Sequence, residues 1–481
     1  MVKSQLTIAS MVVSLFACTK EVSPPAPVNP IPTAAQLAWH EMETNAFIHF
    51  TINTFTDKEW GYGDESPALF NPSQLNADQW VTTLKEAGFK GIILTTKHHD
   101  GFCLWPSKFN EHNVKNSPYK NGEGDLVKEV SDACKRHDLK FGIYMSPWDR
   151  NHPQYGTPAY VQYYRNQLHE LFTQYGPVFE MWFDGANGGD GFYGGTKETR
   201  RIQGATYYDW PTTLRQVEKL EPNVIFFSDA GPGVRWVGNE RGVAGETNWN
   251  TITPDTLFAG KAGIEDLLQR GHPDGTTWIP AEVDVSIRPG WFYHAKEDSL
   301  VKSAEKLFDI YLTSVGRGST LLLNVPPDKR GLIHERDIAV LRAWRNMIDN
   351  AFKTNHARHA KASATNVRGQ MSDYNADKIV DNNKETYWAT DDNVTAATVE
   401  LELNEPVIVK FIVMQEFISL GQRVKKFKIE AQQNGSWQTI GSGTTIGYKR
   451  ILEVDHANTK HVRITIEASR ACPLLSNVEI Y

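Results

Sequence analysis

Cysteine is scarce in this chain: four residues in 481, at positions 18, 103, 134 and 472. Three of them lie beyond the first 20 residues, an odd number that offers no disulfide framework, and no spacing among them suits zinc. Cys103, Cys134 and Cys472 are therefore expected as small core residues. Positive charge is not in excess either, with 50 Lys and Arg against 57 Asp and Glu, a net charge of −7. Without a basic face there is no electrostatic footprint for nucleic acid, and that class of partner is excluded. No apolar run is long enough to cross a bilayer as a helix. No Gly-rich phosphate fingerprint follows a strand-like run, which disfavours a dinucleotide fold. There is no internal repeat. What is present in quantity is aromatic: 14 Trp, 17 Tyr and 22 Phe. Such residues stack on the apolar faces of sugars, but a large barrel core uses them equally.

The first residues, MVKSQLTIASMVVSLFACTK, join a positive Lys3 to a short apolar stretch from Leu6 to Phe16. The stretch ends in Leu15-Phe16-Ala17-Cys18, which resembles a bacterial lipobox. The expectation is a lipoprotein signal peptide over 1–17, a lipid on Cys18, and a Pro-rich extended tether over 18–34. The protein would then be an exported bacterial lipoprotein, periplasmic or at the cell surface, meeting a membrane only through that lipid. A plain signal peptide is the alternative.

From 35 to 352 short β-rich runs alternate with amphipathic helices. The predicted strands are 47–52, 91–96, 140–146, 178–184, 223–229, 277–285 and 319–325. Asn76 and Asp125 are expected helix caps. Helices are predicted around Trp80 and Leu84, Val130 and Cys134, Tyr164 and Leu168, Leu214 and Val217, Leu300 to Tyr311, and Ile338 to Ile348. Strand–helix alternation means parallel strands with helical crossovers, and about eight strands in some 300 residues predict a closed α/β barrel of the (β/α)8, TIM-like class. The remainder, 353–481, has almost no helical periodicity. Runs such as TVELEL, FKIEAQQ, HVRITIEA and NVEIY predict an all-β antiparallel sandwich.

In such a barrel the functional groups gather at the carboxyl ends of the strands. There the sequence offers His49, His98, His99, Asp100, Tyr144, Asp184, Asp229, Glu282 and Asp284. Asp184 stands out, because it closes an apolar strand and precedes Gly185, which would free the backbone to turn. His98 and His99 are adjacent and would point to opposite faces of a strand, unless the strand end frays. A metal site from His49, His98, His99 and Asp184 is conceivable, but the His-x-His spacing of metallohydrolase barrels is absent. A glycosidase needs two carboxyl groups, one to attack or activate water and one to protonate the leaving oxygen. Candidates for the second are Glu240, Glu246, Asp229, Glu282, Glu59 and Glu65, and residue chemistry alone does not choose among them.

The segments FIHFTINTFTDKEWGYG, GIILTTKHHDGFCLWPS, GIYMSPWD, MWFDGANG, VRWVGNERG, PAEVDVSIRPGWFYH and LLLNVPPDKRG together resemble alpha-L-fucosidases of glycoside hydrolase family 29. The resemblance spans about 40–350. Several segments look more like the subgroup that prefers alpha-1,3/1,4-linked fucose on branched glycans. The family implies a retaining double displacement without a catalytic cofactor, with Asp184 as nucleophile and Glu240 as acid/base, Glu246 being the rival. It implies that His49, Glu59, Trp60, His98, His99, Tyr144, Trp236 and Trp291 contact substrate, and that fucosylated oligosaccharides or glycoproteins are the partners. Alternatives are a broad fucosidase acting on aryl or alpha-1,2 fucosides, or a catalytically dead glycan-binding lipoprotein. The C-terminal part resembles discoidin-like (F5/8 type C) domains, on IVDNNKETYWAT, GQRVKKFKIEA and LSNVEIY. That resemblance implies a structural calcium held by Asp381, Asn383, Thr386 and Glu479.

Overall fold

The alternation closes into a barrel of eight parallel strands: β1 (Thr44–Ile48), β2 (Gly91–Lys97), β3 (Lys140–Met145), β4 (Glu180–Trp182), β5 (Ile225–Ser228), β6 (Val234–Trp236), β7 (Ala281–Ser286) and β8 (Thr320–Asn324). Each strand pairs with its neighbours in chain order, and β8 closes on β1 with Phe47 opposite Asn324. This computed structural model describes residues 22–481, so the expected signal peptide and Cys18 lie outside the described residues.

The helices form where the apolar spacing and caps put them. The helix Ala77–Glu86 starts at Asn76, whose side chain accepts the Gln79 N–H, and buries Trp80, Val81 and Leu84. The helix Leu126–Arg136 starts at Asp125 and buries Val130, Ala133 and Cys134. Asp and Asn suit these positions because a short side-chain oxygen satisfies an amide that the helix leaves orphaned. Cys103, Cys134 and Cys472 are free and buried, as small core residues are.

Three predicted elements shift, and one barrel strand is found that the sequence pattern does not predict. The first strand ends at Ile48, not 52, because Thr51 caps a short helix Ile52–Thr56. The predicted strand 277–285 is two elements: Thr277–Trp278 pairs antiparallel with Thr251–Ile252, and after Pro280 the chain enters the barrel as β7. The helix expected from Leu300 begins at Ala304 under a Ser303 cap, leaving Leu300 57% exposed. Finally, β6 is a three-residue strand joined to β5 by Asp229–Gly233 with no helix between, so it carries no periodic signal of its own.

The barrel interior holds two fully buried carboxyls, Glu180 and Glu282. Trp39 Nε1–H donates to Glu180 at 3.0 Å and Trp182 Nε1–H to Glu282 at 3.0 Å. Burial pushes both upward, Glu180 to about 7, and the neighbouring Glu180 charge adds to the shift of Glu282.

Beyond the helix Glu335–Ala351 the chain forms an antiparallel domain of seven strands: β9 (Lys361–Ala364), β10 (Trp388–Ala389), β11 (Ala397–Glu416), β12 (Val424–Gln433), β13 (Ser436–Gly443), β14 (Arg450–Ser469) and β15 (Leu474–Ile480). The order is β10-β15-β11-β14-β12-β13, with β9 on β11. TVELEL and VKFIVMQE, separate runs in the sequence, are one 20-residue strand, β11, broken in register between Glu402 and Val407. The domain has its own core around Trp388, Phe427 and Ile464.

The Pro-rich stretch is not a free tether where the structure describes it. Val28 N–H donates to Leu420 C=O at 2.9 Å, Arg423 Nη2–H to Ala26 C=O at 2.7 Å, and Arg368 Nε–H to Ser23 C=O at 2.8 Å. Residues 22–28 therefore strap along the C-terminal domain before the chain reaches the barrel. The same domain grips the barrel through Gln422, which accepts from Asn250 N–H at 2.8 Å and donates to Asn248 C=O at 2.9 Å.

Asp381, Asn383 and Thr386 close a turn of their own. Asp381 accepts the Asn383 N–H at 2.8 Å and the Thr386 hydroxyl at 2.7 Å. Glu479 is committed elsewhere: it accepts from Tyr481 at 2.9 Å and faces a groove lined by Tyr311, Arg345 and Lys449. Asp381, Asn383 and Thr386 thus meet in one turn, while Glu479 stands on β15 among residues that include Tyr311 and Arg345 of the barrel helices.

Candidate active site

A cavity of about 400 Å³ opens at the carboxyl ends of the barrel strands. Its base is aromatic: Phe47, Tyr144 and Trp182 stand on β1, β3 and β4. Trp182 stacks on Phe227 with ring centroids 3.9 Å apart, which fixes the floor under Asp184.

Asp184 lines this cavity just beyond β4, with its side chain 22% exposed. Ala186 N–H donates to its Oδ1 at 2.6 Å and the Tyr144 hydroxyl to its Oδ2 at 2.8 Å. Gly185 serves a different purpose from the one expected. A Cβ there would meet Asp229 Oδ2 at 2.2 Å, so glycine lets the Asp229 carboxylate approach the backbone. Asp229 also lines the cavity; it accepts the Gly260 N–H at 2.7 Å, and burial raises its pKa to about 6. Asp284, opposite, accepts from Trp236 Nε1–H at 2.9 Å and is held well above the usual carboxylate range by burial, with the Glu240 charge adding.

The three histidines all reach the cavity. β2 stops at Lys97, so His98 and His99 lie past its end and escape strand alternation, their rings 4.1 Å apart. Burial keeps all three below the ordinary imidazole pKa, His49 at about 3, so they are neutral. Their partners assign the tautomers. His49 Nδ1 meets the acceptor Asn324 Oδ1 at 2.8 Å, so Nδ1 carries the hydrogen and Nε2 is free to accept. His99 Nδ1 meets Ser146 Oγ at 2.7 Å, whose hydrogen is given to Trp148 C=O, and the same tautomer follows. His98 Nδ1 instead faces the Asn53 amide N–H at 3.4 Å, leaving Nε2–H as a donor. The trio thus offers hydroxyl groups two acceptors and one donor.

Glu240 lines the rim of the cavity, beyond β6, and accepts from Trp291 Nε1–H at 3.3 Å. Burial raises its pKa, and the charges of Asp184 and Glu59 raise it further. Its rival Glu246 is elsewhere: 77% exposed, it pairs with Arg317 at 3.4 Å. Glu282 is sealed in the barrel interior, and Glu65 is spent on Lys58 and the Tyr62 and Gly63 amides. Trp60, Trp236 and Trp291 line the cavity, Trp60 being 53% exposed.

Glu59 does not line it. Its carboxylate accepts the Trp291 N–H at 2.8 Å, the Phe292 N–H at 3.2 Å and His294 Nε2 at 2.7 Å, so it supports the wall instead of facing a ligand. Among the described residues no three His, Cys, Asp or Glu side chains are grouped as metal ligands. Asn324, Ser146 and His294 also support the site and are not among the site residues that the sequence singles out. Asn324 and His294 stand in motifs already singled out, LLLNVPPDKRG and PGWFYH, but what each polar atom meets lies far away in the chain.

A family model described as alpha-L-fucosidase matches residues 29–349, and one described as the F5/8 type C domain matches 359–478. The chain is 40% identical over 462 residues to alpha-L-fucosidase 1 of Arabidopsis thaliana, covering 95% of this chain and 88% of that one. It superposes on a glycoside hydrolase 29 family member from an unknown rumen bacterium with a TM-score of 0.85 at 44% identity, over 95% of this chain and 78% of that one. A Ruminococcus gnavus GH29 fucosidase in complex with fucose gives a TM-score of 0.87 at 33% identity, over 96% and 97% of the two chains.

Proposed function

The chain belongs to the alpha-L-fucosidase family of glycoside hydrolases, and from that premise we propose that it releases terminal alpha-L-fucose by retaining double displacement, with Asp184 as nucleophile and Glu240 as acid/base. The observation that carries this reading is that both carboxyls line one cavity, one held by two hydrogen-bond donors and the other biased by burial toward its protonated form. In the first step Asp184 attacks the anomeric carbon as the glycosidic C–O bond breaks, and Glu240 gives its proton to the departing oxygen. Esterification removes the negative charge of Asp184, which lowers the proton affinity of Glu240. Glu240 then takes a proton from water as that water displaces Asp184. The two accepting and one donating histidine nitrogens suit a sugar with several hydroxyls, and the tryptophans suit its apolar face.

The proposal extends to alpha-1,3/1,4-linked fucose on branched glycans and to a lipid on Cys18 at the cell envelope. Support for the first is the cavity rim, where Trp60, Trp236 and Trp291 offer flat surface to a neighbouring sugar. The test is a digest of a defined panel of fucosylated glycans beside an aryl fucoside, with the first anomer released followed by NMR. Alpha-fucose as first product from the branched glycans is expected. Beta-fucose overturns the retaining mechanism, and activity on the aryl compound alone overturns the substrate preference.

A further inference from the structure

The wall that carries Trp291 is locked from behind by a residue that does not touch the cavity. His294 Nδ1 meets Asp57 Oδ1 at 2.6 Å and Nε2 meets Glu59 Oε1 at 2.7 Å. A neutral imidazole would set a lone pair against one of these carboxylates, so both nitrogens carry hydrogen and the ring is an imidazolium. Burial alone would lower its pKa, but the two carboxylates outweigh it and hold the ring above its ordinary value. The hydrogen bond from His294 lowers the Asp57 pKa, and the charges of Lys296 and Lys329 add to this.

Glu59, pinned in this way, presents both oxygens to the Trp291 and Phe292 amides. Gly290 makes room for the arrangement: a Cβ there would stand 2.5 Å from Glu59 Oε1 and 3.0 Å from the His294 ring. On its other side the Trp291 peptide is held by Asn324 Nδ2–H, which donates to its C=O at 2.8 Å. The peptide is thus held on both faces, the indole lies against Phe47 and His49, and its N–H reaches Glu240.

We infer that His294 is a positioning residue: by clamping Glu59 between itself and the Trp291 peptide, it aims the indole N–H that orients Glu240. This rests on Glu240 being the acid/base. A residue acting through the acid matters when the leaving group needs a proton and little when it does not.

The test compares a fucosylated oligosaccharide with fucosyl fluoride, whose leaving group needs no proton, in His294→Ala, Glu240→Ala and the double variant. For His294→Ala the expected kcat loss is about 10-fold or more on the oligosaccharide and under about 3-fold on the fluoride. In the Glu240→Ala background, removing His294 should cost under about 2-fold more, because the two act as one unit. Equal loss on both substrates, or losses that multiply in the double variant, would overturn the inference. Should His294→Ala fail to fold, Glu59→Gln keeps the volume and removes the ion pair, and the same split decides. A Glu240→Ala enzyme with no leaving-group split overturns the acid/base assignment, and the inference with it.

Discussion

Tyr144 gives its hydroxyl hydrogen to Asp184 Oδ2 at 2.8 Å, and the same oxygen lies 3.8 Å from His99 Nε2. Burial drives the phenol well above its ordinary pKa, and the charge of Asp184 adds to this, so the hydroxyl keeps its proton and acts as a fixed donor. A hydrogen bond to a charged group contributes about 1.5–3 kcal/mol. Tyr144→Phe should therefore lower kcat by roughly 10- to 100-fold with an unchanged circular dichroism spectrum. Initial rates on any accepted fucoside check this; an unchanged kcat would show that the bond does not serve the reaction.

Removing the nucleophile separates chemistry from binding. Asp184→Ala should bind substrate while losing several orders of magnitude in turnover. Added azide should restore release and yield a fucosyl azide of inverted configuration, identifiable by NMR, because the small anion enters the space the carboxylate leaves. Rescue with retention would argue against direct displacement at this residue.

The raised pKa of Glu240 sets a pH signature. A carboxyl whose pKa lies above the ordinary glutamate value stays protonated to higher pH, so the acid remains available there and is lost as pH rises through the shifted value. The alkaline limb of kcat/KM on an oligosaccharide should lie above the ordinary glutamate range and vanish in Glu240→Gln, with residual activity confined to good leaving groups. Glu246→Ala should leave the profile unchanged, since that side chain is exposed and paired with Arg317.

Gly185 tests the close approach of Asp229. Gly185→Ala drives a methyl group to 2.2 Å from Asp229 Oδ2 and should cost about 1–3 kcal/mol in stability, read as a drop in Tm, together with a loss of activity. Adding Asp229→Gly should recover part of the Tm, whereas a clash with the backbone of the turn would leave it low.

The fold was legible wherever apolar period and cap coincided, as at Asn76 with Trp80 and Leu84 or at Asp125 with Val130 and Cys134. It was illegible where structure is held by distant partners. The strand Val234–Trp236 is too short for a period, and Arg235 within it is fully buried, spending its donors on carbonyls of Leu268 and Trp249. The site followed the same division. Strand-end polar residues, Asp184 and the histidines among them, could be named in advance because barrel geometry puts strand ends at one mouth. Glu59 and His294 could not be placed, because a carboxylate next to a tryptophan in sequence reads as a ligand contact whether it faces the cavity or the back of its wall.

The strap of residues 22–28 along the C-terminal domain shortens any mooring upstream of it. A lipid on Cys18 would be separated from docked Val22 by Thr19, Lys20 and Glu21, a leash of about 14 Å at full stretch. An enzyme on so short a leash would ride low, with the edge of its C-terminal domain close to the bilayer. It would meet glycans by drifting sideways with its lipid, not by reaching outward into the medium.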